Sequence, residues 1–481
     1  MTIGSNTVTM QEGSRYFTRL EKVGIWIYEH PTIVKVAKIA TLVMGLALWV
    51  PLPWIAPMLS KMTVVALAIT GALLTLASGV AFLALDLIAP MRHEMSHHAF
   101  KPRQCEGGRL YYAGDVPILS LESDNPYIVG KAHGYLCGDA ISRLSRRFGW
   151  VLYTLANQPR ANKLPRTIAA IKQSIPPEYL LEMEGLIEGY AQWKKEQSWW
   201  QFPKELTLDD LILFHLMPDF IHFHMGELEG RSPKPMPKQA ALACSTLLEQ
   251  DPKKGVVLAR TVDSPSLGVM GECSLVIHRK RSSWVKDTIE VGIPGLIGTL
   301  TGVNGAGLAL AMNVCAGFTT KVRGMPAAFY NRACLEQCTT VQEVEHWSKK
   351  LPALGPYHLT IADPSNGAAI HFYQSPKEDK AVIRSMQDKK PLSILNYRYD
   401  PRPSASLHNS DKRQTELDQF FHTRKTEPLE DSLALPWVNN CLSIQRIVIE
   451  PRQMKMKVAF DNAFAGQALL REVPMQTLLA H

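Results

Sequence analysis

Cys244 opens a short run of residues whose types could carry out acyl chemistry. It follows Ala243 and precedes Ser245 and Thr246, with Arg260 and Asp263 lying 16 and 19 positions further on. Two strands joined by a turn would bring both charged residues back beside the cysteine. That grouping has a chemical use if Cys244 becomes a chain terminus. A terminal α-amine has an ordinary pKa of about 7.7–8.0, so it can act as base for the thiol of its own residue. A nearby guanidinium favours thiolate over thiol, and a carboxylate would orient the amine. On these residues alone a buried structural cysteine is the commoner alternative.

A second pattern is His93-Glu94-Met95-Ser96-His97. It matches H-E-x-x-H, which on a helix puts two imidazoles on one face to bind zinc, with Glu94 as base. Pro90 and Pro102 bracket it, so any helix there is short, and no third ligand follows. The spacing Cys334-x-x-x-Cys338 lacks a second ligand pair and reads as one face of a helix. No metal or cofactor is expected.

The elements that must position these groups fall into two populations. Ile39–Leu59 and Thr63–Leu85 carry no charged residue, and each is long enough to cross about 30 Å of hydrocarbon. They read as a transmembrane helical hairpin. Arg15, Arg19 and Lys22 precede it, Arg92, Lys101 and Arg103 follow it, and only Lys61 lies at its tip. The positive-inside rule puts both ends on the cytoplasmic side. The remainder is globular in composition: the whole chain of 481 residues is 46% hydrophobic and 20% charged, which excludes a disordered chain or a small disulfide scaffold. The net charge of +8 comes without a basic run interleaved with aromatics, so no nucleic-acid partner is expected.

Residues 127–243 are helical in pattern, notably Pro177–Lys194 and Leu208–Met225, and Arg231–Lys238 reads as a Pro- and Lys-rich linker. Beyond it the period changes. CSTLLEQ and VVLARTVD flank a turn at Asp251–Gly255. LIGTLTGV and LALAMNV flank Asn304-Gly305, a pair suited to a type I′ hairpin turn. Helix returns over 326–350, and strands over 357–363 and 368–373. This order points to a layered α+β domain.

The run Cys244-Ser245-Thr246…Arg260-Thr261-Val262-Asp263 resembles the start of the mature chain in cysteine N-terminal-nucleophile (Ntn) amidohydrolases. That superfamily includes acid ceramidase, N-acylethanolamine acid amidase, the choloylglycine hydrolases and the acyl-coenzyme A:6-aminopenicillanic-acid acyltransferase group. LIGTLTGVNGAGLALAMN resembles its hairpin leading to an oxyanion-hole Asn, here Asn313. LNYRYD places Asn396 at a second family Asn, SDKRQ places Arg413 at a later Arg, and NPYIVGKAHGYLCGDAI resembles the segment before the cut. The family's Asn is Thr261 here, and its usual aromatic after the Asp is Ser264.

The resemblance implies a four-layer αββα sandwich and a precursor that cleaves itself between Ala243 and Cys244. Both fragments would stay together. Residues 1–38 would be a cytoplasmic segment, 39–90 the membrane hairpin, 91–243 a mostly helical pro-segment and 244–481 the catalytic part. Cys244 would attack an amide carbonyl, with its amine held by Asp263. Asn313 and Asn396 would donate to the oxyanion, Arg260 would tune the thiol or hold substrate, and Arg413 would support the nucleophile. Water or an amine would then take the acyl group. The expected partners are an N-acyl amide, the membrane and the chain's own N-terminal fragment. Tethering to a bilayer favours a lipid amide. Two rival readings are a membrane zinc peptidase using His93, Glu94 and His97, and a non-catalytic membrane adaptor on a decayed hydrolase fold.

Overall fold

The computed structural model describes residues 100–145, 164–197, 205–219, 243–264, 269–281, 285–315, 324–373, 380–386, 390–397, 409–424 and 426–479. The two uncharged runs, the His93–His97 motif and the Arg231–Lys238 linker lie outside them. Among the described residues no helix is long and apolar enough to cross a membrane.

The described chain begins with three short strands, β1 (Arg103–Cys105), β2 (Gly108–Ala113) and β3 (Val116–Glu122), paired antiparallel. They fall in the segment that the sequence pattern presents as mostly helical. Turns at Gly107 and Gly114, both at positive φ, cut the strands too short for a long alternating signature. Helices α1 (Pro126–Leu136), α2 (Leu164–Lys172), α3 (Pro177–Lys195) and α4 (Leu208–His215) follow. Asn125 caps α1 by accepting from the Tyr127 amide, and Thr207 with Asp210 forms a capping box on α4.

From Ala243 the chain is rich in strand. β4 (Ala243–Asp251) and β5 (Gly255–Asp263) form the hairpin expected around Asp251–Gly255. β6 (Leu275–Lys280), β7 (Thr288–Gly292), β8 (Thr301–Asn304) and β9 (Ala309–Val314) come next. Helices α5 (Ala327–Gln337) and α6 (Val341–Lys350) lead to β10 (Tyr357–Ala362), β11 (Gly367–Tyr373), β12 (Lys380–Ser385) and β13 (Leu392–Ile394). Helix α7 (Ser410–Thr423) precedes β14 (Ser443–Glu450), β15 (Lys455–Phe460), β16 (Arg471–Val473) and the short α8 (Met475–Leu478).

These strands make two sheets in an α+β fold. Ten strands run in the order β1-β2-β3-β6-β7-β8-β9-β10-β11-β12, and six in the order β13-β4-β5-β14-β15-β16. The β3–β6 pair is parallel, so chain from before Cys244 and chain from after it share one sheet. Alternation then sorts the side chains. Val256, Leu258 and Val262 of β5 share a core with Ala309 and Ala311 of β9 from the other sheet. Val257 and Ala259 face the opposite way, toward Leu417 of α7. Leu310 and Met312 of β9 face away from the inter-sheet core, onto Tyr330 and Cys334 of α5. Both faces are covered, which is why β5 and β9 read as near-continuous apolar runs.

Packing sets two further details. The β8–β9 connection is not a two-residue I′ turn: Val303 pairs with Ala309, and neither Asn304 nor Gly305 has positive φ. Asn304 instead turns its side chain inward. Its Nδ2 donates to Leu335 O and Cys338 O, and its Oδ1 accepts from the Ala306 and Leu308 amides. Buried acceptors at the end of α5 thus decide the loop. The other detail is the crossing of α1 with α3. A Cβ at Gly134 would lie 2.0 Å from Leu186 O, and one at Gly189 would lie 1.9 Å from Lys131 O. The helices touch backbone to backbone, a contact that the G-x-x-x-G spacing of Gly130–Gly134 and Gly185–Gly189 signals.

Candidate active site

The β4–β5 register sets Cys244 opposite Val262 and Thr246 opposite Arg260. Residues directly opposite share a face, so Cys244, Thr246 and Arg260 all point into the space between the sheets. Arg260 is 1% exposed. Its Nη2 donates to Cys244 Sγ at 3.1 Å and to Met312 O, and its Nη1 donates to Leu300 O and Thr301 Oγ1. Among the described residues no carboxylate pairs with it. Burying a lone charge costs roughly several kcal/mol. Uncharged oxygens offset part of that, and a thiolate at Cys244 would supply the missing anion.

Arg413, on α7, is fully buried. Its Nη1 donates to Cys244 O at 2.8 Å and Ser245 Oγ at 3.0 Å, and its Nη2 donates to Asn396 Oδ1 at 2.7 Å and Ser410 Oγ at 3.0 Å. Asn396 Oδ1 also accepts from the Cys244 amide at 3.1 Å, while its Nδ2 donates to Val314 O at 2.6 Å. Asn313 Nδ2 donates to Cys244 O at 3.1 Å and Ile394 O at 2.8 Å, and its Oδ1 accepts from Thr246 Oγ1 at 2.6 Å. Both side-chain N–H bonds of Asn313 are therefore engaged by backbone carbonyls. Asn396 Nδ2 makes one such bond among the described residues, which leaves it a hydrogen for an oxyanion.

Five of the six residues singled out in the sequence thus meet around Cys244. Asp263 does not join them. It lies three positions after Arg260, and a strand alternates with period two, so the two side chains face opposite sides of the sheet. Asp263 accepts from Asn440 Nδ2 at 3.1 Å and Ser443 Oγ at 2.7 Å, and its backbone pairs with Ala243 across the sheet. In this uncut chain the nitrogen of Cys244 is a peptide amide held by Asn396, not an amine held by Asp263.

The segment before Cys244 also contributes. His133 of α1 accepts from the Gly295 amide through Nε2 at 3.1 Å, and His215 of α4 accepts from the Ile297 amide at 2.8 Å. Burial pushes His133 down to about 3 and His215 down to about 4, so both rings are neutral acceptors. They fix a buried stretch that runs on to Leu300, whose carbonyl receives Arg260. His133 lies within the segment NPYIVGKAHGYLCGDAI, whereas His215 stands in no motif read from the sequence. Only the fold brings residues so far apart in sequence together.

A family model described as acyl-coenzyme A:6-aminopenicillanic acid acyl-transferase matches residues 251–394. The match includes Arg260, Asp263 and Asn313 and leaves Cys244, Asn396 and Arg413 outside its bounds. Among solved structures, the Caenorhabditis elegans ortholog of N-acylethanolamine-hydrolyzing acid amidase is similar at 16% identity. That similarity covers 44% of this chain and 93% of that one, with a TM-score of 0.35. A mutant of conjugated bile acid hydrolase from Clostridium perfringens is similar at 12% identity over 49% of this chain and 93% of that one, with a TM-score of 0.35. No curated protein matches. The family match over residues 251–394 shows the resemblance of this chain to the cysteine Ntn-hydrolase superfamily.

Proposed function

We propose that this protein is a self-cleaving cysteine Ntn enzyme that breaks a non-peptide amide bond of an N-acyl substrate. The observation that supports this most is the buried Arg260 guanidinium, which has no carboxylate partner among the described residues and donates to Cys244 Sγ at 3.1 Å. In the precursor, Cys244 Sγ adds to the Ala243 carbonyl carbon. The Ala243–Cys244 C–N bond breaks, the thiol proton passes to the departing nitrogen, and a thioester remains. Water hydrolyses it, leaving the Ala243 carboxylate and a free Cys244 thiol and amine.

The mature amine then takes the Cys244 proton as the sulfur attacks the substrate carbonyl. The Asn396 amide donates to the oxyanion. Asn313 and Arg413 hold the Cys244 carbonyl, which fixes the nucleophile's backbone. The amine leaving group departs with a proton, and the acyl-enzyme passes to water or to an acceptor amine. The fold in this reading is the four-layer αββα sandwich. The uncharged runs within residues 39–85 anchor it to a membrane with the catalytic part on the cytoplasmic face, which makes a lipid amide the favoured substrate.

N-terminal sequencing of the purified protein tests the class. A fragment beginning at Cys244, absent in Cys244→Ala, is expected; an active preparation that remains a single full-length band refutes self-cleavage. Turnover of long-chain N-acyl amides is expected in a panel that also holds bile-acid and penicillin amides. Turnover of the water-soluble amides alone refutes the lipid assignment.

A further inference from the structure

Two buried histidines lie beside this site and have no part in the mechanism above. His358 on β10 pairs across the sheet with Asn313 on β9, and His371 on β11 pairs with His358. Direct cross-strand partners share a face, so Asn313, His358 and His371 form a row across three strands. His358 and His371 are both 0% exposed.

One contact fixes the proton on His358 Nε2. His358 Nε2 lies 2.6 Å from Tyr397 O. A carbonyl can only accept, so Nε2 carries a proton and donates it. The two Nδ1 atoms lie 2.8 Å apart. One of these Nδ1 atoms donates to the other, so His371 backs the ring that holds the Tyr397 carbonyl.

That carbonyl belongs to the residue next to Asn396. On the other side, Ile394 O accepts from Asn313 Nδ2 at 2.8 Å. The row therefore grips residues 394–397 at both ends, and Asn396 sits between the grips. Its Oδ1 receives the Cys244 amide and Arg413.

We infer that His358, backed by His371, is a positioning residue that sets Asn396 against the Cys244 amide by holding the Tyr397 carbonyl. This rests on the proposed function for its catalytic meaning, though not for its geometry. A misplacement near 1 Å at a reacting group can cost about a hundredfold in rate.

The test compares His358→Gln with His358→Asn. Glutamine can place an N–H near the position of Nε2. Asparagine reaches only the Nδ1 position, so it keeps a contact to His371 and loses Tyr397. In a Cys244→Ala background, where no cleavage can occur, hydrogen exchange of the residue 244 amide is measured by mass spectrometry. Exchange is expected to quicken at least tenfold in His358→Asn and to stay within about threefold in His358→Gln, with thermal midpoints alike. In the Cys244 chain, the appearance of the cleaved fragment should slow tenfold to a hundredfold in His358→Asn only. Unchanged exchange in His358→Asn, or equal effects of both variants, overturns the inference. Absence of cleavage in the unsubstituted chain refutes self-cleavage and leaves the exchange result to decide the positioning role.

Discussion

Replacing Glu182 by Gln removes the centre of a buried ionic cluster that ties α3 to the rest of the fold. Glu182 is fully buried and receives Arg279 at 2.6 Å, Arg332 at 2.7 Å and Arg281 at 3.2 Å. Glu290 pairs with Arg279 at 3.2 Å, and Glu336 pairs with Arg332 at 2.9 Å. Three carboxylates thus face three guanidiniums. Burial alone would push the Glu182 carboxyl up, but Arg279, Arg332 and Arg281 override it and hold the group well below the usual carboxylate range.

Glu182→Gln leaves three cations against two anions in a site closed to water. Breaking a buried pair from one side costs about 3–5 kcal/mol. With an unfolding slope of about 3 kcal/mol per molar urea, the midpoint should fall by about 1 M or more at unchanged slope. The control adds Arg281→Met. Arg281 is the most exposed of the three arginines, and its loss restores the charge balance. The double variant should recover at least half of the lost stability. Two results refute the reasoning: a cost for Glu182→Gln under about 1 kcal/mol, or a double variant less stable than Glu182→Gln alone.

Three further outcomes are expected. Arg260→Gln keeps a polar side chain and removes the charge facing Cys244 Sγ, so the rate of amide cleavage should fall at least about a hundredfold in single-turnover assays; an unchanged rate would exclude an electrostatic role for the guanidinium. Burial raises the Asp219 carboxyl to about 7, while its unfolded value is near 3.9. The folded state therefore binds the extra proton between those values, and stability present below pH 4 declines by about 2–4 kcal/mol as pH rises to 8. Asp219→Asn should flatten urea midpoints measured at pH 5 and pH 8; a slope equal to that of the parent contradicts this. Gly134→Ala puts a Cβ against Leu186 O and should lower stability by about 1–3 kcal/mol, read as a depressed thermal midpoint; an unmoved midpoint would show that the helices are free to part.

Cys244 and Arg260 were legible because they lie on one hairpin, whereas Asn313, Asn396 and Arg413 were reached only through the family resemblance. The apolar runs on both sides of Asp251–Gly255 fix the β4–β5 pairing, and that pairing alone puts Arg260 on the face of Cys244. The same parity sends Asp263 to the other face, which proximity in sequence conceals. The strands β1–β3 were hidden by their shortness, and the β8–β9 loop by acceptors on α5 that no local pattern records.

What the sequence determined by itself is the hairpin that sets Arg260 on the face of Cys244, the proposed nucleophile, since this depends on local pairing and a period of two. The tertiary structure alone decided which amide keeps an unengaged hydrogen among the described residues, Asn396 rather than Asn313. It also set the row of Asn313, His358 and His371 and the clamp that His133 and His215 place on the chain leading to Leu300. The Asn396 and His133–His215 contacts join residues 82 to 162 positions apart, and the row adds strand pairing between β9, β10 and β11. Such bonds leave no periodicity in the chain; they exist because two buried faces must meet and every polar atom closed off from water needs a partner.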